Sequence, residues 1–98
     1  MGRVLYALTR NDSTTLAVFL TKELAIDSAY KFISQDILGM HKQRQSRVMM
    51  FLEDLHEEYP ELADLPADEF VASLFRKNEE VHHSADTWHI IPVDFVEQ

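Results

Sequence analysis

Histidines near the C-terminus are the side chains of this sequence that could bind a metal ion or transfer a proton. His82 and His83 are adjacent, and Asp86 and His89 follow them closely. A zinc site needs three or four ligands that a rigid frame directs to one point, whereas two adjacent histidines in a loop point in different directions. The spacing matches no established ligand pattern. We therefore interpret this segment as a polar loop before a strand, and we expect no bound metal ion and no cofactor.

Other catalytic patterns are equally incomplete. Glu53 and His56 form one Glu-x-x-His pair, but a di-iron site in a helical bundle needs two such pairs and two further glutamates. No serine lies in a glycine elbow, and with two glycines in the chain no glycine-rich loop can hold a phosphate. We therefore expect a protein that is not an enzyme. A weaker alternative is an enzyme of unfamiliar type built around His82, His83 and Asp86.

The segment FLEDLHEEYPELADLPADEF, residues 51–70, is the most unusual part of the sequence. It has no lysine or arginine and contains eight carboxylates: Glu53, Asp54, Glu57, Glu58, Glu61, Asp64, Asp68 and Glu69. If 41–59 is a helix, its cations lie near its start and its anions near its end. That placement opposes the helix dipole and costs about 0.3–1 kcal/mol per exposed charge. Stability therefore did not select the segment, which leaves solubility or recognition of a basic surface.

Charge and composition narrow the possible partners. The net charge is −8, and residues 49–98 contribute 13 carboxylates against two cations. Binding to nucleic acid requires cations that neutralise phosphates, so we expect no direct contact with nucleic acid and favour a basic protein partner. There is no cysteine and no long apolar run. We expect one cytoplasmic domain over residues 1–98, without contact with a membrane.

The elements that position these residues follow from the hydrophobic pattern. Strand-forming residues flank the turn sequence NDST, and three stretches show helical periodicity. We predict an α+β fold, β-β-α-α-α-β, with a three-stranded, mainly antiparallel sheet and all helices on one face. The other face is then solvated or covered by a partner. The predicted strands are 3–10, 15–21 and 88–96, and the predicted helices are 22–38, 41–59 and 66–80.

Single residues sharpen these predictions. Thr21 is a suitable N-cap for the first helix, and Gly39 is a suitable residue just beyond its end. Pro92 cannot donate a hydrogen bond to a neighbouring strand, so its strand should lie at an edge or carry a bulge. The run Met49, Met50 and Phe51 could form an adaptable binding surface, but we favour the core and its margin, because only about half of a helix faces inward.

The N-terminal part of the sequence also resembles a broad group of known proteins. In the segment AVFLTKELAIDSA the second strand of the hairpin runs directly into a helix. This arrangement resembles that of small proteins encoded by phages and mobile elements, over about the first 35 residues. The resemblance implies such a genetic context and supplies no site residues.

Two functions from different classes follow. The first is a non-enzymatic protein-binding module, for example a phage-type inhibitor of the anti-CRISPR or anti-restriction kind. Its acidic helical surface would occupy a basic site on a host protein that handles nucleic acid. The second is a scaffold or regulatory subunit that pairs through its sheet edge or uncovered sheet face; the oligomeric state stays open, with a dimer as one option. The predicted partner-binding residues are Glu53, Asp54, Glu57, Glu58, Glu61 and Asp64, with Tyr59 and Phe51 as apolar anchors.

Overall fold

Residues 2–96 are described by the computed structural model, and they form a four-stranded antiparallel sheet with three α-helices. The α+β class is confirmed, and the predicted number of strands is one too few. The strand order across the sheet is β2-β1-β4-β3. In chain order the elements are β1 (Gly2–Arg10), β2 (Thr14–Phe19), α1 (Lys22–Met40), α2 (Gln45–Glu58), a short 3-10 helix (Pro60–Leu62), α3 (Ala67–Asn78), β3 (Glu80–His83) and β4 (Asp86–Val96).

The predicted β1–β2 hairpin is present, and its loop is fixed to the far end of the chain. Asn11 and Asp12 both have a positive φ, which asparagine and aspartate tolerate better than most residues. The Asn11 backbone N–H donates to the Thr87 carbonyl at 2.8 Å. Its side chain donates to Asp86 and accepts from the Thr87 N–H, each at 2.9 Å. The loop thereby holds the start of β4.

The last predicted strand pairs along all of β1, from Gly2 opposite Val96 to Arg10 opposite Trp88. β3 pairs only with the first four residues of β4, the last of them His89. From there onward β4 has a strand neighbour on one side only among the described residues. Pro92 lies in this one-sided part, in agreement with the prediction that its strand has an open edge.

Residues 80–83 are a strand, so the predicted polar loop and the predicted extension of the third helix to residue 80 are wrong. α3 ends because Glu79 has a φ of 63° in the left-handed region, which turns the chain back toward the sheet. A tight turn at Ser84, whose φ is 57°, then connects β3 to β4. Four residues with two histidines give too short a pattern to predict a strand from sequence.

Thr21 caps α1 as predicted, because its Oγ1 accepts a 3.1 Å hydrogen bond from the Leu24 N–H. Gly39, however, lies inside α1 rather than beyond its end. The helix ends at Met40 because Lys42 and Gln43 take positive φ values. α2 therefore begins at residue 45, four residues later than predicted, and it is a separate helix.

All helices lie on one face of the sheet. Leu8 of β1, Val81 of β3 and Trp88 of β4 point into the helical layer and are almost fully buried. The helices contribute apolar residues at helical spacing: Ala25, Ile26, Ala29, Ile33 and Ile37 from α1, Val48, Phe51 and Leu55 from α2, and Phe70, Val71, Leu74 and Phe75 from α3.

Within the described range 2–96, no helix lies on the opposite face of the sheet. Side chains alternate along a strand, and directly paired residues share a face. Leu8 in β1 and Trp88 in β4 point to the helical side. The residues next to them in each strand, and the residues paired with those, therefore lie on the other side. This surface, called the helix-free face, has Leu5, Ala7, Val18, Ile91 and Val93 at its centre and Arg3, Thr9, Glu80, His82, Thr87 and His89 around them.

Candidate functional site

The carboxylates predicted to bind a partner form one exposed region at the C-terminal half of α2 and the turn after it. We call this region the α2 acidic surface. Its six members are all exposed: Glu53, Asp54, Glu57, Glu58, Glu61 and Asp64. Glu53 and Glu57 are one helical turn apart, as are Asp54 and Glu58, so like charges are neighbours on the helix.

Tertiary contacts engage two members of the α2 acidic surface. Asp54 Oδ2 lies 2.8 Å from Nε2 of His83. Glu61 Oε1 accepts a 3.0 Å hydrogen bond from Nζ of Lys77 in α3, and this bond lowers the pKa of the Glu61 carboxyl. Among residues 2–96, by contrast, the Glu53 and Glu57 side chains have no hydrogen bond or ion pair.

The two predicted apolar anchors are poorly placed for a partner. Phe51 is 1% exposed, and its ring packs edge-on against Trp88 at a centroid distance of 5.6 Å. The prediction that Phe51 is a surface anchor is therefore wrong, because this residue lies on the inward side of α2. Tyr59 is half-buried, its hydroxyl accepts a 3.2 Å hydrogen bond from Asn78, and Lys77 lies 5.7 Å from its ring centroid.

Tyr59 is thus engaged within the chain. Burial raises the pKa of its phenol, and the charge of neighbouring Glu58 raises it further. A half-buried ring that is already in contact with α3 can form only the margin of an interface. Neither aromatic residue supplies the exposed apolar area that a lasting complex needs.

Met49 and Met50 supply that area instead. They are 60% and 45% exposed, although we predicted the core and its margin for them rather than a binding surface. The signal was available, because a helix with Phe51 inside leaves positions 49, 50, 53 and 57 on its outer side. Met49 precedes Glu53 by one turn, and Glu53 precedes Glu57 by one turn. Flexible methionines and carboxylates therefore share one side of α2.

The histidine segment does not assemble as the alternative enzyme prediction requires. His82 and His83 point to opposite faces, because successive strand residues alternate. His83 meets Asp54, whereas His82 Nδ1 lies 2.7 Å from the Thr87 hydroxyl. Asp86 is held by Asn11. The three predicted residues thus contact three different parts of the molecule.

A cavity of about 620 Å³ lies between the end of α1, α2 and the β3–β4 turn. Met50, Asp54 and Glu58 line it from α2, and His83 lines it from β3. The His83–Asp54 pair could transfer a proton there. Ser84, the serine next to this pair, has no hydrogen bond to His83 in the described chain, so the geometry shows no activated nucleophile.

Metal-binding patterns are also dispersed. Glu53 points outward, while the ring of His56 packs on Phe70 at 4.6 Å, so the Glu-x-x-His pair does not converge. Within residues 2–96 no group of three or more histidine, aspartate or glutamate side chains is arranged to hold a metal ion. In the same part of the chain, none of the helices has the length and hydrophobicity that a membrane crossing requires.

Comparison with protein-family models, with curated proteins and with solved structures finds no significant match.

Proposed function

We propose that the protein is a non-catalytic binding module that presents the outer side of α2 to a basic surface of a partner protein. The observation that carries the proposal is the combination of Met49 and Met50 with Glu53 and Glu57 on one exposed helix side. A site of this kind provides both electrostatic steering and apolar contact.

The electrostatic part rests on carboxylates without partners. Glu53 and Glu57 form no ion pair in the described chain, and a chain of net charge −8 adds a long-range negative field. Such a field accelerates encounter with a cationic surface and is screened by salt. The same charges oppose the dipole of their own helix, so folding does not account for their placement.

The apolar part rests on the two methionines. Methionine side chains are flexible and polarisable and adapt to different partner surfaces. Once the carboxylates have oriented the encounter, burial of Met49 and Met50 would slow dissociation. On this proposal charge governs mainly the association rate and the methionines govern mainly the lifetime of the complex.

A narrower form of the proposal concerns the partner. Proteins that handle nucleic acid carry extended basic surfaces, because they must neutralise phosphates. An acidic helix would compete with the nucleic acid for such a surface. The resemblance of the N-terminal segment to small phage and mobile-element proteins supports an inhibitor of a host protein of this kind.

The test begins with affinity purification from a host lysate and identification of the retained protein by mass spectrometry. The association and dissociation rates of that protein are then measured with the wild type and with the triple variant Glu53→Gln/Glu57→Gln/Glu58→Gln. We expect the variant to associate more slowly, with a flatter dependence on salt. Glu61 is left unchanged, because its loss would also free Lys77.

A matched control removes the same charge elsewhere. The variant Glu69→Gln/Glu79→Gln/Asp94→Asn should bind nearly as fast as the wild type. Met49→Gln/Met50→Gln should keep the association rate and dissociate faster. If the α2 triple variant and the control variant bind equally well, the carboxylates of α2 serve solubility and the proposal fails.

A further inference from the structure

The helix-free face exposes apolar side chains on its two longest strands and on the edge strand β2. Val18, Ile91 and Val93 are 53%, 37% and 40% exposed, and Leu5 is half-buried beside them. Leu5 is paired with Val93 and Ala7 with both Val18 and Ile91. These residues therefore form one continuous patch rather than scattered apolar positions.

Charged groups around this patch are largely engaged within the chain. At one end Nδ1 of His89 lies 3.3 Å from Asp12, and its Nε2 lies 3.7 Å from Glu80. At the other end Arg3 also interacts within the chain. These charged groups lie at the ends of the face, so its apolar centre at Leu5, Val18, Ile91 and Val93 carries no charge, whereas the molecule as a whole has a net charge of −8.

We infer that the helix-free face is a self-association surface, on which a second copy of this chain packs sheet against sheet. A twofold dimer requires a patch that is complementary to itself, and a neutral apolar patch meets that requirement. Any approach through α2 would bring like charges together. In the dimer the two helical layers would be outermost, so both α2 acidic surfaces would stay exposed.

The size of the face is close to what a specific dimer needs. The four strands contain 30 residues, which at a rise of about 3.3 Å per residue and a strand spacing of about 4.8 Å correspond to a plane of roughly 480 Å². Two copies would therefore cover roughly 950 Å², close to the lower bound of about 1,000 Å² for a specific interface. The self-association goes beyond the proposed function, because it neither needs nor excludes a basic partner.

Sedimentation equilibrium over a concentration series, at low and high salt, tests the inference. We expect a dimer whose affinity stays constant or increases with salt, because screening reduces repulsion between two acidic chains. The variant Val18→Thr/Ile91→Thr/Val93→Thr keeps residues that favour strands and should weaken the dimer by about tenfold or more. A wild type that is monomeric throughout the series overturns the inference.

A control and a second measurement separate the possible failures. Met49→Gln/Met50→Gln removes apolar groups from α2 and should leave the dimer unchanged. In a mixture of isotope-labelled and unlabelled wild type, nuclear Overhauser contacts between copies should join the methyl groups of Val18, Ile91 and Val93. A dimer without such contacts, or one that dissociates in the α2 variant, also overturns the inference. Weak binding of a basic partner would count only against the proposed function.

Discussion

The indole Nε1 of Trp88 donates a 3.1 Å hydrogen bond to Oδ2 of Asp36, which joins β4 to α1 across 52 residues of sequence. Arg10 of β1 places its Nε 2.9 Å from the same oxygen. This N–H is not aligned as a hydrogen bond, so the contact is an ion pair. One carboxylate thus connects a helix to the two central strands.

Removal of this carboxylate should destabilise the fold. Asp36→Ala leaves the buried Trp88 N–H without an acceptor, and we expect a loss of about 1–3 kcal/mol in the free energy of unfolding. Asp36→Asn keeps an acceptor and should lose less. Urea denaturation followed by the fluorescence of Trp88, the single tryptophan, measures both. Asp64→Ala, at an exposed site, is the control and should change stability by at most about 0.5 kcal/mol.

Gly39→Ala should stabilise α1. Gly39 is exposed in the last turn of the helix, and an added Cβ would meet no atom within 4 Å. Its φ is not positive, so alanine fits the existing backbone. We expect a gain of about 0.5–1 kcal/mol, visible as a higher urea midpoint. A lower midpoint would show that this turn needs the freedom of glycine.

Two neighbouring positions in α2 should respond in opposite ways to truncation. Phe51→Ala opens a cavity between α2 and Trp88, and we expect it to cost about 3–5 kcal/mol. Met49→Ala removes an exposed side chain and should change stability by at most about 0.5 kcal/mol. Chemical denaturation of the two variants measures the difference. Similar losses would mean that Met49 also packs in the core.

The Glu61–Lys77 hydrogen bond should be visible in a titration. The bond lowers the pKa of Glu61 in the folded protein. Its small contribution to stability is therefore present when the pH is above the pKa that Glu61 has in the unfolded chain. The contribution is lost as the pH falls through the lower pKa of the folded state. Lys77→Met should raise the pKa of Glu61 toward its ordinary value. Carboxyl NMR of both proteins measures this. An unchanged pKa would show that the bond is not formed in solution.

Much of the fold could be predicted because its signals are local. The NDST turn between two apolar strands, Thr21 before a helical stripe, and the spacing of apolar residues in α1 and α3 depend on neighbours within a few residues. The crowding of carboxylates in 51–70 is likewise a property of the sequence. These features indicated the α+β class and the acidic region of α2.

Tertiary contacts decided the properties that determine the site. They buried Phe51 against Trp88, left Met49 and Met50 exposed, and added β3, which is too short to show a pattern of its own. They also brought Lys77 to Glu61 and His83 to Asp54, while Glu53 and Glu57 stay unpaired among residues 2–96. The sequence gives the charge of each side chain. The partner of that side chain depends on distances between segments that are remote in the chain, and only the packing of the helices on the sheet sets these distances.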